Sequence, residues 1–315
     1  MTSSLPKCSF VCVTYNHARY SAAAINSIAQ QNYPNIEIIV VDDGSTDGND
    51  KVIEATLKNC GRPYKFLRQE NTGRIAMNLN RGLSQANGEY VSMFSLDDIL
   101  LPDCIAQKME MLAADPNLAF VVNSCHMVID DQGHVTQPLS KFNLYGLNIT
   151  TPEELLEIEY RKIGSFFMQG GVFSSAMIQG IGGYDEDLKG DDVIIRTKML
   201  MYMQKHPSLR FKVIHEPQFQ YRIHDSNIHA DGWRQISLIL EWRDRYFPDR
   251  PMPERWYAKV RGFLDKALVE ENFVLIRKAK SLSPEILGVL EQSGRLWEYR
   301  RGYIKQALGA LFSLR

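Results

Sequence analysis

The sequence has few of the features that mark secreted, membrane-spanning or nucleic-acid-binding proteins. Its 36 basic and 37 acidic residues leave a formal net charge of −1, so no polyanionic ligand such as DNA is indicated. The five cysteines are odd in number and lack C-x-x-C spacing, which argues against a disulfide framework or a zinc site. No segment approaches the ~20 apolar residues of a transmembrane helix, and the polar start does not resemble a signal peptide. We therefore expect a cytoplasmic protein that at most rests on the inner face of a membrane.

The glycine-rich loops of many nucleotide-binding proteins are missing too. No G-x-G-x-x-G and no G-x-x-x-x-G-K-[ST] lies at a predicted strand-to-helix junction, which disfavours dinucleotide and P-loop sites. A nucleotidyltransferase that makes an activated sugar would need a glycine-rich phosphate loop close to the N-terminus, and residues 8–16 contain no glycine. This class of enzyme therefore ranks last among the functions considered.

What is present is an ordinary globular composition, with 44% hydrophobic and 23% charged residues. Over the first hundred residues, strand-like and helix-like segments alternate, which predicts a mostly parallel sheet flanked by helices. The predicted strands are 9–14, 36–41, 64–68 and 90–94, and the predicted helices are 18–31, 46–59 and 74–86. Further on, we expect helices over 102–113, 152–158 (capped by Thr151) and 193–204, strands over 118–130, 211–215 and 219–223, a turn at 131–133 and a loop over 137–151.

From residue 233 onward the sequence becomes helical, with proline breaks. We expect an α/β domain over residues 1–230 and a helical extension over 231–315. The last segment, 295–315, carries five basic residues and one acid, with apolar residues spaced for one helix face. Such a helix can lie on an anionic membrane surface or pack on its own protein or on a partner subunit.

The stretch from Ile36 to Asp47 is the most informative part of the sequence. A β-branched run leads into Asp42, Asp43, a glycine and two hydroxyl residues, which is typical of a buried strand that ends at a ligand site. Ser45, Thr46 and Asp47 are equally suited to capping the following helix. Two adjacent carboxylates repel each other, so Asp42 and Asp43 together indicate a function.

Two further aspartate pairs follow, Asp97-Asp98 after a predicted strand and Asp191-Asp192 before a predicted helix. Breaking a sugar–phosphate bond requires a divalent cation that offsets the charge of the leaving diphosphate, and Mg²⁺ or Mn²⁺ takes carboxylate ligands. A separate carboxylate must accept the proton of the attacking hydroxyl. Asp97 and Asp98 suit the metal, and Asp191 or Asp192 suits the base. Asp43 could accept the N–H of a pyrimidine ring.

In their order and spacing, these motifs resemble family 2 glycosyltransferases over about residues 7–230. The matching motifs are Val-Thr-Tyr-Asn at 13–16, Val-Val-Asp-Asp-Gly-Ser-Thr-Asp at 40–47, Asn71-Thr72-Gly73 with Asn80-Arg81-Gly82, Gly88-Glu89-Tyr90, Asp97-Asp98 with Pro102, Gly182-Gly183-Tyr184-Asp185-Glu186 with Asp191-Asp192, and Tyr221-Arg222-Ile223-His224.

The resemblance implies a GT-A fold, a nucleotide-sugar donor (a UDP-sugar by default), a divalent cation and inversion at the anomeric carbon. The nucleotide-sugar site that it implies consists of Thr14, Tyr15, Asn16, Asp43, Asn71, Gly73, Arg74, Asn80, Ser95, Asp97 and Arg222. The implied metal ligands are Asp97, Asp98 and His224. Asp192 takes the position of the catalytic base, and Asp191 stays an alternative base.

The sequence departs from the family pattern at two positions. Ser95 replaces an aspartate that relatives often tie to the ribose, and Leu79 replaces an arginine. Arg74 could supply the missing positive charge near the phosphates, or it could be a solvated arginine in the first turn of a helix.

The acceptor is the least defined partner. Residues 137–183 and the C-terminal helices should select it, and Gln169, Gly170 and Gly171 either line that side or simply pack a turn. We expect a glycan or lipid-linked glycan acceptor, such as a bacterial O-antigen or capsule precursor, that receives a hexose or an N-acetylhexosamine. The C-terminal helices could also mediate homo-oligomer contact. A catalytically silent subunit that binds nucleotide-sugars or glycans is the alternative function, although such a subunit would not need a base.

Overall fold

A computed structural model of the chain describes residues 5–225, 232–270 and 284–292, together with single residues between 272 and 304. By packing, the chain divides into two units, Met1–Asp225 and Ser226–Arg315. The assignment of separate functions to residues 1–230 and 231–315 stays a prediction.

The first unit contains all the strands found in the described residues. Its strands are β1 (Cys8–Thr14), β2 (Ile36–Asp42), β3 (Tyr64–Arg68), β4 (Tyr90–Ser95), β5 (Ile99–Leu100), β6 (Leu118–Asn123), β7 (Cys125–Ile129), β8 (Val135–Lys141), β9 (Val172–Ser174), β10 (Arg210–Ile214) and β11 (Phe219–Arg222). Its helices are α1 (Ser21–Ala29), α2 (Asn49–Asn59), α3 (Ile75–Leu83), α4 (Cys104–Ala114), α5 (Pro152–Lys162), α6 (Ser175–Gly180) and α7 (Asp192–Gln204).

Seven strands form the main sheet, in the order β10-β6-β9-β4-β1-β2-β3. The pairs β4–β1, β1–β2, β2–β3 and β6–β10 are parallel, whereas the short β9 runs antiparallel to both of its neighbours. All seven residues of β2 are buried, as expected for an apolar strand covered on both faces. The predicted α/β fold class, a mostly parallel sheet flanked by helices, is confirmed.

The other four strands form a second sheet, in the order β5-β11-β7-β8. The prediction of one strand over residues 118–130 is wrong, because the chain leaves the main sheet at Ser124 and continues as β7 in the second sheet. The N–H of Ser124 donates to the carbonyl of Ile214 at 2.9 Å, and its hydroxyl lies 2.7 Å from His215 Nδ1. The apolar run around Ser124 gave no local signal of this break.

The prediction of a loop over residues 137–151 is wrong in its first part, because β8 extends to Lys141. Most of β8 is exposed, so its side chains show neither an apolar run nor alternation, and Pro138 is tolerated on an edge strand. The predicted turn at 131–133 joins β7 to β8 as an antiparallel hairpin. The predicted cap of α5 is confirmed, since Thr151 accepts a hydrogen bond from the N–H of Glu154.

The second unit is helical over the residues described, with α8 (Gly232–Tyr246), α9 (Glu254–Val269) and α10 (Pro284–Gln292). Trp242 of α8 and Trp256 of α9 are fully buried and anchor its core. Across the described part of the chain, the helices are too short or too polar to cross a bilayer. Most of the basic segment 295–315 lies outside the described residues.

Gly44 makes the tight turn after β2 possible. Its φ is +73°, and a Cβ at this position would lie 2.5 Å from the backbone nitrogen of Asn71. Gly48 has a similar φ of +86°, but no atom lies within 4 Å of the Cβ position. A side chain at Gly44 would therefore cause both backbone strain and a steric clash, whereas a side chain at Gly48 would cause backbone strain alone.

We predict that Gly44→Ala destabilises the protein by about 2–4 kcal/mol, because it adds a backbone clash to the left-handed strain. Gly48→Ala, the matched control, should cost only about 1–2 kcal/mol. Urea unfolding of both variants measures the difference. Equal losses would show that the loop containing Asn71 moves away without cost.

Candidate functional site

Three neighbouring parallel strands deliver the predicted site residues to one edge of the main sheet. β1 lies between β2 and β4, with Thr14 opposite Asp42 and Val13 opposite Ser95. The segments that follow these strands therefore meet at their carboxyl ends, where open α/β sheets bind ligands.

The turn after β2 is held by Asp42. Its carboxylate accepts hydrogen bonds from the Ser45 N–H at 3.2 Å and the Ser45 hydroxyl at 2.5 Å. The buried amide of Asn49 donates to Thr14 Oγ1 at 3.0 Å, which joins the start of α2 to the end of β1. Thr14 is thus buried beneath the site, whereas the next side chain, Tyr15, is 44% exposed.

Ser45, Thr46 and Asp47 hold the loop after β1. α2 begins after Gly48, so Ser45 and Thr46 do not cap it, whereas Asp47 Oδ1 accepts the N–H of Asn49, the first residue of α2, at 3.0 Å. Ser45 Oγ accepts from the Asn16 N–H at 2.8 Å, and Asn16 Oδ1 accepts from the Thr46 N–H at 2.8 Å. Asp47 accepts from the Ala18 N–H at 2.9 Å. These bonds hold Asn16 in the left-handed region, with φ +56°.

Asp43 anchors the loop that precedes α3. Its carboxylate accepts from Gln69 at 2.6 Å, from the N–H and hydroxyl of Thr72 at 2.9 Å each, and from the Gly73 N–H at 3.1 Å. Burial alone would raise the pKa of Asp43, but the hydrogen bonds from Thr72 and Gln69 outweigh it and lower the pKa. Four donors fill the usual acceptor capacity of a carboxylate. The base-reading role of Asp43 stays a prediction.

Asn80 and Arg74 connect α3 to the segment before α7. The Asn80 amide donates to the Tyr184 carbonyl and to Glu186, both at 2.9 Å, and accepts from the Tyr184 N–H at 2.8 Å. Gly183, with φ +65°, passes so close that a Cβ would lie 2.5 Å from Asn80 Oδ1. Arg74 donates to the Glu186 carbonyl at 2.7 Å. Both side chains thus bind protein groups, while the exposed Asn71 and Gly73 lie in the loop held by Asp43.

Asp97, His17 and His224 form a cluster at the end of β4. Their ligand atoms all lie within 4.8 Å of one another, with His224 Nε2 at 3.2 Å and His17 Nε2 at 4.0 Å from Asp97 Oδ2. Burial would raise the pKa of Asp97, but its hydrogen bond with His224 and the nearby His17 lower it. The other oxygen, Asp97 Oδ1, is buried and has no hydrogen-bond partner among the described residues.

This set of donor atoms fits a divalent cation. A carboxylate oxygen with two imidazole nitrogens suits Mn²⁺ better than Mg²⁺, which prefers oxygen ligands. His17 is not among the site residues predicted from the sequence. The available signal was its place just after β1, since β1 and β4 are neighbouring parallel strands whose ends must meet.

Asp98 is not part of this cluster. It is almost completely buried, and its Oδ1 accepts the backbone N–H of Arg222 at 2.9 Å. Burial, followed by the neighbouring charge of Asp97, raises the pKa of Asp98 well above its ordinary value. Asp98 therefore fixes β11 beside β5, and its predicted role as a metal ligand has no support in this arrangement.

Arg222 braces the loops around the cluster. Its Nε donates to the Asp97 carbonyl at 2.8 Å, and its Nη1 donates to the carbonyls of Asp130 at 2.9 Å and Asp131 at 3.2 Å. Its guanidinium lies 4.8 Å from the ring centroid of Tyr20, and Tyr20 in turn lies 5.1 Å from His224, centroid to centroid. Binding of a diphosphate by Arg222 stays a prediction.

Ser95 joins the end of β4 to the turn before β9, because its N–H donates to Gln169 Oε1 at 2.9 Å. The pKa of Tyr221 is raised by burial and then by the charges of Asp98, Asp97 and Asp192. Three aspartates, from the end of β4 and the start of α7, therefore act on the phenol of Tyr221. Gly170, with φ +66°, packs against Leu100, Phe219 and Cys104, which supports a packing role for this turn.

Asp191 and Asp192 occupy different environments at the start of α7. Asp191 is the N-cap residue and accepts the Asp192 N–H at 2.7 Å. The side chain of Asp192 is 36% exposed, with Oδ2 at 3.5 Å from Arg196 Nη1. Burial, followed by the charge of Asp191, raises the pKa of Asp192 to about 7. A carboxylate with this pKa is suited to accepting a proton near neutral pH.

Residues 9–169 match the family model described as glycosyl transferase family 2. The GalNAc(5)-diNAcBac-PP-undecaprenol beta-1,3-glucosyltransferase of Campylobacter jejuni is 28% identical over 276 residues, which cover 88% of this chain and 78% of that protein. An uncharacterized glycosyltransferase of Rickettsia conorii is 33% identical over 144 residues, which cover 43% of this chain but only 23% of that relative.

Two solved structures have a similar fold. TarS of S. aureus (residues 1–349, in complex with UDP-GlcNAc) superposes with a TM-score of 0.61 at 17% identity, covering 96% of this chain and 92% of that chain. The mannosyltransferase PcManGT of Pyrobaculum calidifontis, in complex with GDP-Man and Mn²⁺, gives a TM-score of 0.56 at 19% identity, covering 99% and 82%. The fold is that of GT-A glycosyltransferases, as predicted.

The environment of Asp98 predicts an unusual pH dependence of stability. Because its pKa is raised in the fold, the protonated form stabilises the folded protein, and this contribution is lost as pH rises. Asp98→Asn resembles the protonated acid, so it should match the parent near pH 4 and become increasingly more stable than the parent toward pH 8. Urea unfolding at several pH values with EDTA present measures this difference. A variant that is less stable than the parent by the same amount at every pH would contradict the prediction.

Proposed function

Because the chain belongs to glycosyl transferase family 2, we propose that it is an inverting glycosyltransferase that moves a sugar from a nucleotide-diphosphate donor to a hydroxyl of a lipid-linked glycan. Family membership and the class of enzyme, a glycosyltransferase, agree with the sequence prediction. The observation that carries the finer proposal is a pair of carboxylates of different kinds, at the end of β4 and at the start of α7, whose charges both act on Tyr221. Asp97 lies with two histidines, and Asp192 is set to accept a proton.

On the donor side, we favour a uridine nucleotide. Thr14, Tyr15 and Asn16 follow β1 at the sheet edge, and Asp43 follows β2 beside them. An ionised carboxylate accepts the N–H of a pyrimidine ring, and Asp43 would do so by exchanging one of its four present donors. The complexes of TarS with UDP-GlcNAc and of PcManGT with GDP-Man support a nucleotide-sugar donor, whether its nucleobase is uracil or guanine.

A divalent cation would be held by His17, Asp97 and His224, with Mn²⁺ favoured by the mixed oxygen and nitrogen ligands. When bound, such a cation offsets the charge that develops on the leaving diphosphate. The buried Oδ1 of Asp97, which has no hydrogen-bond partner among the described residues, would be available to this cation. Asp98 would not bind the cation. It accepts the backbone N–H of Arg222 and so holds the end of β11, two residues before His224, in place.

Asp192 is proposed as the general base. It lies beyond the matched residues 9–169, at the start of α7, and its charge acts on Tyr221, as do the charges of Asp97 and Asp98. Its carboxylate takes the proton from the acceptor hydroxyl as that oxygen attacks the anomeric carbon, on the face opposite the departing diphosphate. A single displacement of this kind inverts the configuration at that carbon.

The acceptor is proposed from the relative in Campylobacter jejuni, whose name gives an undecaprenol-linked glycan as its substrate. A lipid-linked acceptor would bring the reaction to a membrane surface. Trp297 and Ile304 are exposed near Arg300 and Arg301, a composition that suits contact with anionic lipid.

Asp192→Asn should lower transfer by at least about 100-fold, because a general base contributes roughly that much, and should leave UDP binding near normal. A thermal-shift screen of UDP-sugars with Mn²⁺ selects the donor, and UDP release measures turnover. In the parent, kcat/KM should rise with pH up to about 7, as Asp192 loses its proton.

Asp191→Asn is the matched control and should lose less than about tenfold, since Asp191 acts as the N-cap of α7 by accepting the Asp192 N–H. The opposite order of losses would move the base to Asp191. Full turnover in both variants would overturn the mechanism.

Asp97→Asn should weaken Mn²⁺ binding by more than about tenfold, because even residues that only hydrogen-bond to a metal ligand commonly contribute about that much. Asp98→Asn, a neighbouring aspartate outside the cluster, should leave the Mn²⁺ affinity within about threefold of the parent. Isothermal titration with Mn²⁺ in the presence of UDP measures both affinities. Equal losses in the two variants would restore Asp98 as a ligand.

A further inference from the structure

A buried arginine lies directly behind the proposed base. Arg196 is one helical turn beyond Asp192 in α7, is only 5% exposed, and places Nη1 at 3.5 Å from Asp192 Oδ2. Its Nη1 also donates to the Phe166 carbonyl at 2.8 Å. A charged group buried this deeply needs a partner of opposite charge. Asp192 is a partly exposed and rather distant partner, so it compensates the charge of Arg196 only in part.

The main partner of Arg196 is Glu159 of α5, which is fully buried. Glu159 Oε1 accepts from Arg196 Nε at 3.1 Å and lies 3.0 Å from Nη2. The other oxygen, Oε2, accepts from the N–H of Ser165 at 2.8 Å and from its hydroxyl. Glu159 is therefore fixed from two sides, and it fixes the guanidinium in one orientation.

Several charged or titratable groups act on Asp192 from the surrounding elements. Asp191 precedes it in the chain, Arg196 follows it in α7, and Glu159 faces it from α5. Two phenols, Tyr184 from the preceding turn and Tyr221 from β11, lie close enough to be affected by its charge. The backbone of Met168 also favours the ionised form of Asp192 and so lowers its pKa.

We propose that Glu159 and Arg196 are positioning residues for the general base, with Glu159 orienting the guanidinium and Arg196 orienting the Asp192 carboxylate and favouring its ionised form. The inference rests on the proposed function, in which Asp192 takes the acceptor's proton. Neither residue touches the reacting atoms. The pair acts through Asp192, so its effect should appear in the titration of Asp192.

The two positioning residues should shift that titration in opposite directions. Arg196 favours the ionised carboxylate, so removing its charge should raise the pH at which Asp192 titrates. Glu159 carries the same sign of charge as Asp192 and partly neutralises Arg196, so its removal should lower that pH. A residue needed only for folding would not produce shifts of opposite sign.

The test measures unfolding by urea from pH 4 to 9 with and without Asp192→Asn, and needs no substrate. Since the fold favours protonated Asp192, the stability of the parent should fall relative to Asp192→Asn as pH rises, and the difference should level off above the titration. Relative to the parent, the levelling pH should move down by about one unit in Glu159→Gln and up by about one unit in Arg196→Gln. The acid limb of kcat/KM should move with it.

Glu157→Gln is the matched control, because Glu157 is in the same helix and pairs with Arg161 on the surface at 2.5 Å. It should leave the levelling pH unchanged. If a single variant does not fold, the double variant Glu159→Gln/Arg196→Gln removes both charges. It should move the levelling pH upward, though less than Arg196→Gln would, since Arg196 is the nearer charge.

Unchanged levelling in folded variants would overturn the inference and leave the base assignment intact. Turnover by Asp192→Asn would instead overturn the base assignment, whichever way the titration moved. The two failures are therefore distinguishable in one set of proteins.

Discussion

Mutual repulsion between adjacent carboxylates is the constraint on which this site depends. Each of the three aspartate pairs resolves it by sending its two side chains to different partners. Asp42 holds its own turn while Asp43 holds the loop before α3. Asp97 faces two histidines while Asp98 binds the backbone of β11. In each pair, at least one carboxylate therefore accepts a hydrogen bond from the protein's own backbone.

The same division explains how a site with so many acids can be stable before any ligand binds. A raised pKa keeps Asp98 from adding a full charge beside Asp97, and hydrogen bonds from Thr72 and Gln69 stabilise the ionised form of Asp43. Asp192 lies between these extremes, because Arg196 offsets part of the effect of burial and of Asp191. Asp97 is therefore the fully ionised member of its pair, whereas the charge of Asp192 changes with pH near neutrality.

The parts that the sequence predicted well are those encoded by local pattern. β3 was predicted with its observed bounds, and β1, β2 and β4 within one residue at either end, because buried parallel strands are continuous apolar runs between turn residues. Long-range partners could not be predicted in this way. Whether Asp97 or Asp98 faces the histidines depends on the path of β11, more than a hundred residues later. The break at Ser124 depends on His215 in the same way.

The contact between α3 and the turn at residues 183–186 has a consequence for how this protein can be recombined with its relatives. The side chain of Asn80 binds Tyr184 and Glu186, and Gly183 leaves just enough room for it. The part of the domain that contains Asp192 is thereby fastened to the part that contains the ends of β1 and β2. A chimera that exchanges residues after 169 for those of a homologue must inherit both sides of this joint. A larger side chain at position 80, or a segment without glycine at 183, would clash at this contact and displace Asp192 relative to the ends of β1 and β2.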